Sequence, residues 1–209
     1  MRSTAPHSAS RVRGCAARGI TLIEILIVVV LLGIAGTLVI PAMGEVNVLR
    51  IQSSLRAVVA DLTFAQSDAM ASQARRVVIF GKVARYNTAT SAWEIVDGNG
   101  YTVFAPPPGA ATVNLATDAM PDPSRGGFEP LSRDFDENDW GGVSLQNINF
   151  NTGSSLIFDE LGGPVLSLTS DDPGAGGSLQ IVGPNATFQM NVEPYTGRIS
   201  VIKLPPAGP

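Results

Sequence analysis

From Ile20 to Ile40 the chain reads ITLIEILIVVVLLGIAGTLVI, 21 residues with one charged side chain, Glu24. A helix of that length, at 1.5 Å per residue, covers a hydrocarbon core of about 30 Å, so the run predicts a membrane helix. It is longer than the roughly 7–15 apolar residues of a cleaved export signal. Beyond Pro41 the spacing changes. Val48, Ile51, Leu55, Val58, Val59, Leu62, Ala65 and Ala69 recur at steps of three and four, with Arg50, Arg56, Asp61 and Asp68 largely between them. That is the period of an amphipathic helix that buries one stripe. The two patterns join into a stem from Ile20 to about Ala74, with a kink expected near Gly36, Pro41 and Gly44, because the proline ring removes a helical hydrogen bond.

After residue 75 the period drops to two. Candidate strands are Arg76 to Val83, Ala92 to Val96, Tyr101 to Phe104, Val143 to Phe150, Leu156 to Phe158, Val165 to Thr169, Leu179 to Val182, Thr187 to Glu193 and Arg198 to Lys203. They are separated by Gly, Pro, Asn and Asp. In Phe188-Gln189-Met190-Asn191-Val192 the apolar residues fall at every second position, as a half-buried antiparallel sheet requires. Glu193-Pro194-Tyr195-Thr196-Gly197-Arg198 predicts a hairpin turn. The stretch 105–142 is rich in Pro, Gly and Asp and predicts a long loop of low order, with Phe128, Phe135 and Trp140 as candidate anchors. The tail 205–209 predicts a frayed end. The expected fold class is α+β: a long N-terminal α-helix, membrane half plus amphipathic half, packed on an antiparallel β-sheet globular domain.

Charge divides the 209 residues unevenly. Residues 1–19 carry Arg2, Arg11, Arg13 and Arg18 and no acid; the rest has ten basic against 18 acidic side chains, a balance of −8. The basic leader places residues 1–19 in the cytoplasm and the bulk of the chain outside, by the positive-inside rule. The only histidine, His7, and the only cysteine, Cys15, also lie in the leader. Once the leader is removed, Ser-His-Asp and Cys-His catalysis, thiolate or imidazole zinc sites and disulfides are all excluded. No spacing singles out a catalytic carboxylate pair, so an enzyme is not expected, and no cofactor or metal is assigned. Asp134, Asp136, Glu137, Asn138 and Asp139 open like an EF-hand loop. The sixth position, however, is Asp139 where glycine is needed, and the twelfth is Leu145 where a bidentate Glu is needed.

Arg18-Gly19-Ile20-Thr21-Leu22-Ile23-Glu24, the aliphatic run behind it and Pro41 together resemble the signal of type IV prepilins and type II secretion pseudopilins. The resemblance implies cleavage by prepilin peptidase between Gly19 and Ile20, and N-methylation of Ile20, which stands where phenylalanine is usual. It also implies that Glu24, at the fifth mature position, is the filament-docking charge that meets the amine of a neighbouring subunit. Pro41 falls at the twenty-second mature position, where the family often has a proline. The stem end Ala65-Gln66-Ser67-Asp68-Ala69 and the closing Thr196-Gly197-Arg198-Ile199 resemble the GspH/FimT branch, with Gln for Arg and Asp for Glu in the first of these.

The implied function is that of a minor pseudopilin, a structural subunit of the periplasmic filament of a type II secretion system. The alternative is a minor pilin of a type IV pilus, serving assembly, adhesion or DNA uptake. The DNA-uptake version fits less well: Gly197-Arg198-Ile199-Ser200 lacks the second arginine of a Gly-Arg-x-Arg motif, and the acidic mature region attracts phosphate poorly. Nucleic acid is therefore not an expected partner. The implied partners are other pseudopilins or pilins in a filament, the prepilin peptidase and an inner-membrane assembly platform. The expected organisation is a removed leader at 1–19, a transmembrane and filament-core helix at 20–40, an amphipathic stem at 41–74, a β-rich domain at 75–204 and a tail at 205–209. The expected location is the bacterial inner membrane, single-pass, with the globular domain periplasmic.

Overall fold

Among the described residues a helix, α1 (Leu22–Ser72), precedes ten strands. The computed structural model describes residues 21–136, 140, 142–151 and 153–205; inside α1, side chains are described at 21–35 and from 49 onward. The chain forms two compact units, Met1–Ala42 and Met43–Pro209. In the first, the described part of α1 is apolar and uncovered. Leu22 through Leu32 and Ile34 include eleven large aliphatic side chains exposed by 46–85%.

In the second unit the strands are β1 (Arg76–Asn87), β2 (Ala92–Phe104), β3 (Ser132–Asp134), β4 (Ser144–Phe150), β5 (Ser155–Phe158), β6 (Pro164–Ser167), β7 (Ser170–Pro173), β8 (Gly177–Val182), β9 (Thr187–Val192) and β10 (Ile199–Leu204). They form two sheets. One has the order β3-β2-β1-β5-β6-β7, the other β10-β9-β8-β4, and every strand pairing in both is antiparallel. Asn87 starts the β1–β2 turn by accepting the N–H groups of Ala89 and Thr90 on its side-chain oxygen, an Asx turn that redirects the chain. Gly81, at φ +81°, supplies the left-handed residue of a bulge between Phe80 and Lys82, which re-aims the strand.

One core joins the sheets to the helix. Ile51, Val58, Leu62, Ala65 and Ala69 of α1 are buried with Val78, Phe80, Tyr101 and Val103 of the larger sheet and Phe150, Leu179, Ile181, Met190 and Val192 of the smaller. Phe80 of β1 stacks on Phe150 of β4, ring centroids 5.1 Å apart, which pins the two sheets together. A second cluster, Val77, Phe104, Ile157 and Val165, fills the other side of the larger sheet.

The structure corrects two expectations. The fold class is not α+β with a long N-terminal helix, membrane half plus amphipathic half, packed on an antiparallel β-sheet domain: the molecule is mostly antiparallel β, with its strands divided between two sheets. Alternation assigns a residue to a face but does not say which strands share a sheet, so Val143 to Lys203 gave no sign of the division. The single-pass inner-membrane location is corrected as well. Among the described residues no helix is long and apolar enough to cross a membrane. The apolar run with described side chains, 21–35, is about 22 Å of helix, against the roughly 30 Å a bilayer core needs.

The long loop is more ordered than its composition predicts. It contains β3 and the bridges Phe104↔Ala119 and Pro121↔Pro130. Phe135 is buried and Trp140 packs partly buried on the core, whereas Phe128, the third candidate anchor, is 90% exposed. Ala92 to Val96 and Tyr101 to Phe104 are parts of one strand, β2.

Candidate functional site: the helix start and the buried arginine cluster

Gly19 and Ile20, the expected cleavage and methylation residues, lie outside the described residues. Pro41 falls within the span of α1, but its side chain is likewise outside what is described. Glu24 lies in the first turn of α1 with its side chain exposed. The backbone N–H of Glu24 donates to Thr21 Oγ1 at 3.3 Å and to Thr21 O at 3.1 Å, so Thr21 caps the helix. Thr21-x-x-Glu24 also has the sequence of a capping box, in which an acid in the first turn offsets the positive end of the helix dipole. Capping engages the backbone of Glu24, and its carboxylate remains at the surface of an otherwise aliphatic segment.

A cluster of buried charge in the second unit lies at the junction of α1 with the larger sheet. Arg133 on β3 donates from Nε to Asp61 Oδ2 at 2.9 Å and from Nη1 to Asp122 Oδ2 at 2.7 Å. Tyr101 on β2 donates its hydroxyl to Asp61 Oδ2 at 2.8 Å. Ser124 N–H and Oγ both reach Asp122 Oδ1, at 2.8 and 2.6 Å. The cluster therefore holds two carboxylates and one guanidinium, all largely buried.

Burial raises the Asp61 carboxyl above its ordinary value and outweighs the opposing pull of Arg133 and Tyr101. Asp122 goes the other way: burial pushes it up, but hydrogen bonds from Ser124 and Arg133 outweigh that and leave it lowered. Tyr101 is raised well above its usual value, by burial first and by Asp61 second, so it stays a donor. Burial opposes the charge on Arg133, yet its bond to Asp122 and the field of Asp61 raise it on balance. Every polar atom here is engaged within the fold, and the arrangement ties α1 to β2, β3 and the 122–125 turn. Its members were not singled out by sequence. The available signal was Asp61, which stands three residues after Val58 and four before Ala65 and so borders the buried stripe.

Other candidates are also engaged. Asp134 bonds Arg85 at 2.7 Å and accepts the N–H of Asp136, while 137–139 of the acidic run lie outside the described residues. Among the described residues no group of three His, Cys, Asp or Glu is placed to hold a metal. Arg198 of the Gly-Arg segment is exposed beside Glu193, 4.0 Å away. A cavity of about 320 Å³ at the end of α1 is lined by Gln73, Arg75, Pro106 to Pro108 and Glu160 among others. Arg75 is held there by the carbonyls of Ser167 and Ser170 and by Glu160 and Asp171. No family model matches the chain, and neither does any curated protein or solved structure.

Proposed function

We propose that the chain is a minor pseudopilin, a non-catalytic subunit of the filament of a type II secretion system, matured by prepilin peptidase at Gly19-Ile20. The observation that carries this reading is the uncovered aliphatic surface of α1. Eleven large aliphatic side chains between Leu22 and Ile34 face solvent in the isolated chain. Each is worth about 1.5–3 kcal/mol when fully buried. A helix of this kind is completed by like helices around it, which is the packing that a filament of stems provides.

Glu24 gives that packing a register. Among aliphatic helices an unpaired carboxylate is penalised, and a carboxylate paired with an ammonium much less so. Cleavage after Gly19 creates an ammonium at Ile20, four residues before Glu24 in the same chain and, in a staggered neighbour, at a height where it can meet Glu24 directly. In this reading the β unit supplies surface rather than chemistry, since the charges of the Asp61, Asp122 and Arg133 cluster are engaged in holding α1 to the larger sheet.

The test is mass spectrometry of the mature N-terminus, with prepilin peptidase present and absent. The expected result is a chain beginning at N-methylated Ile20 only when the peptidase is present, and an uncut chain for Gly19→Val. An intact Met1 terminus in the presence of an active peptidase overturns the reading.

A further inference from the structure

Asn99-Gly100 is the only Asn-Gly pair in the sequence. In this dipeptide the asparagine amide is most open to attack by the next backbone nitrogen, because glycine has no side chain to shield that nitrogen. Both residues lie inside β2, and the fold requires each of them separately. A Cβ at position 100 would fall 1.9 Å from the carbonyl oxygen of Arg133 and 2.7 Å from a Val83 methyl, so only glycine admits β3 at this distance.

At position 99 one amide joins the two sheets. Asn99 Nδ2 donates to Val143 O at 2.9 Å and to Asp136 Oδ1 at 3.2 Å, and Asn99 Oδ1 accepts the N–H of Leu145 at 2.9 Å. Val143 and Leu145 stand at the start of β4, in the smaller sheet. An aspartate at 99 would keep the bond from Leu145, but it has no N–H for Val143 O, and its charge would stand beside Asp136. Close approach therefore demands the glycine and the clamp demands the asparagine, so the architecture itself retains the labile pair.

While the clamp is closed it protects its own amide. Attack on Asn99 Cγ requires the side chain to leave Val143, Leu145 and Asp136. The backbone beside it is held as well: Asn99 O accepts the N–H of Phe135 at 2.8 Å, and Gly100 pairs with Asp134. A local separation of β2 from β4 is the motion that releases the side chain, and such openings are far more frequent than their small populations suggest. We infer that Asn99 is a deamidation site gated by the contact between the two sheets, closed while β2 and β4 are clamped and reactive when they part.

The backbone nitrogen of Gly100, having lost its proton, forms a bond to Asn99 Cγ; the Cγ–Nδ2 bond breaks, and ammonia leaves carrying a proton. Water then opens the cyclic imide at either carbonyl and gives aspartate or isoaspartate, with no change of oxidation state. Neither product restores the clamp. Aspartate leaves Val143 O without its donor and sets a carboxylate against Asp136. Isoaspartate adds a backbone atom to β2 and shifts Tyr101 and Thr102 against their partners Arg133 and Ser132. An opening that would otherwise reverse is thus recorded in the covalent chain.

The experiment follows the peptide containing Asn99 by mass spectrometry after incubating the full chain at mildly alkaline pH, folded and in guanidinium chloride. Deamidation at Asn99 is expected to outpace that at Asn114 and Asn185 in denaturant and to be at least about tenfold slower in the folded chain. Equal rates in the folded and unfolded chain overturn the gate, and a rate in denaturant no higher than at Asn114 or Asn185 overturns the site. Phe150→Leu weakens the Phe80–Phe150 stack between the sheets and is expected to speed the folded-state reaction. Ile157→Ala, on the other side of the larger sheet, is expected to leave it slow. Equal acceleration by the two at equal loss of stability assigns the opening to global unfolding and overturns the gate. Asn99→Asp, the product without the backbone change, is expected to unfold at a lower urea concentration than the natural chain, and an unchanged midpoint overturns the clamp. No readout depends on cleavage at Gly19, so this inference and the filament reading fail separately.

Discussion

Arg133 stands between two carboxylates of opposite disposition, and the difference between them can be measured. Asp122 is 1% exposed, has its carboxyl lowered and bonds both Ser124 and Arg133. Its contribution to stability is present above the unfolded pKa of about 3.9 and is lost as pH falls through the lower folded value. Removing its charge weakens the bonds that Asp122 accepts from Arg133 and Ser124 while Asp61 still pairs the guanidinium, so Asp122→Asn is expected to cost about 1.5–3 kcal/mol at pH 7 by urea unfolding, shrinking as the pH falls below about 4. Asp61 has its carboxyl raised by burial, so the folded protein holds that proton more tightly than the unfolded chain. Its contribution is present at low pH and is lost as pH rises through the folded value. With one cation and two anions, the cluster carries a surplus negative charge above that point. Asp61→Asn is therefore expected to gain stability relative to the natural chain as pH rises from about 4 to about 7. A constant difference across that range would refute the assignment of the surplus charge to Asp61.

At the scale of elements, close approach of backbones decides where strands run. Asp97-Gly98-Asn99-Gly100 looks like a break between two strands, yet β2 runs through it. A Cβ on Gly100 would lie 1.9 Å from the carbonyl oxygen of Arg133, and one on Gly98 would lie 2.4 Å from a Val83 methyl. The glycines therefore let β3 and the Val83 side chain come close rather than ending the strand. Gly100→Ala is expected to push β3 outward, loosen Arg133 from Asp61 and cost about 2–3 kcal/mol by urea unfolding. A milder loss, about 1–2 kcal/mol, is expected for Gln66→Ala, because Gln66 Nε2 donates to Gly162 O and Thr196 O and fastens two turns to α1.

These cases mark what could be read from the chain. The turn at 193–198 was legible because Thr196-Gly197 supplies a left-handed glycine, at φ +63°, between alternating segments. The buried stripe Ile51, Val58, Leu62, Ala65 and Ala69 was legible from its period. The split into two sheets, the close passage at Gly100 and the Arg133–Asp61 pair, 72 residues apart in sequence, depend on which distant segments meet. Local pattern carries no term for that. Phe128 shows the same limit from the other side: its chemistry suits an anchor, but the 122–131 turn directs it outward, where it is 90% exposed.

For the whole molecule, the division of labour between the two units can be separated by truncation. Every buried hydrophobic residue among those described lies at Ile51 or later, so the core of the unit Met43–Pro209 draws on nothing described before it. A chain of residues 43–209 is therefore expected to unfold cooperatively, within about 2 °C of the full chain's transition in the β unit. Assembly should respond differently. The exposed aliphatic turns from Leu22 to Ile34 are the largest uncovered apolar surface described, and surface of this kind drives association. Size-exclusion chromatography is expected to show large assemblies for the mature full-length chain and their disappearance for 43–209. Large assemblies that survive removal of 1–42 would place the main association surface on the β unit and leave the aliphatic helix without its proposed role.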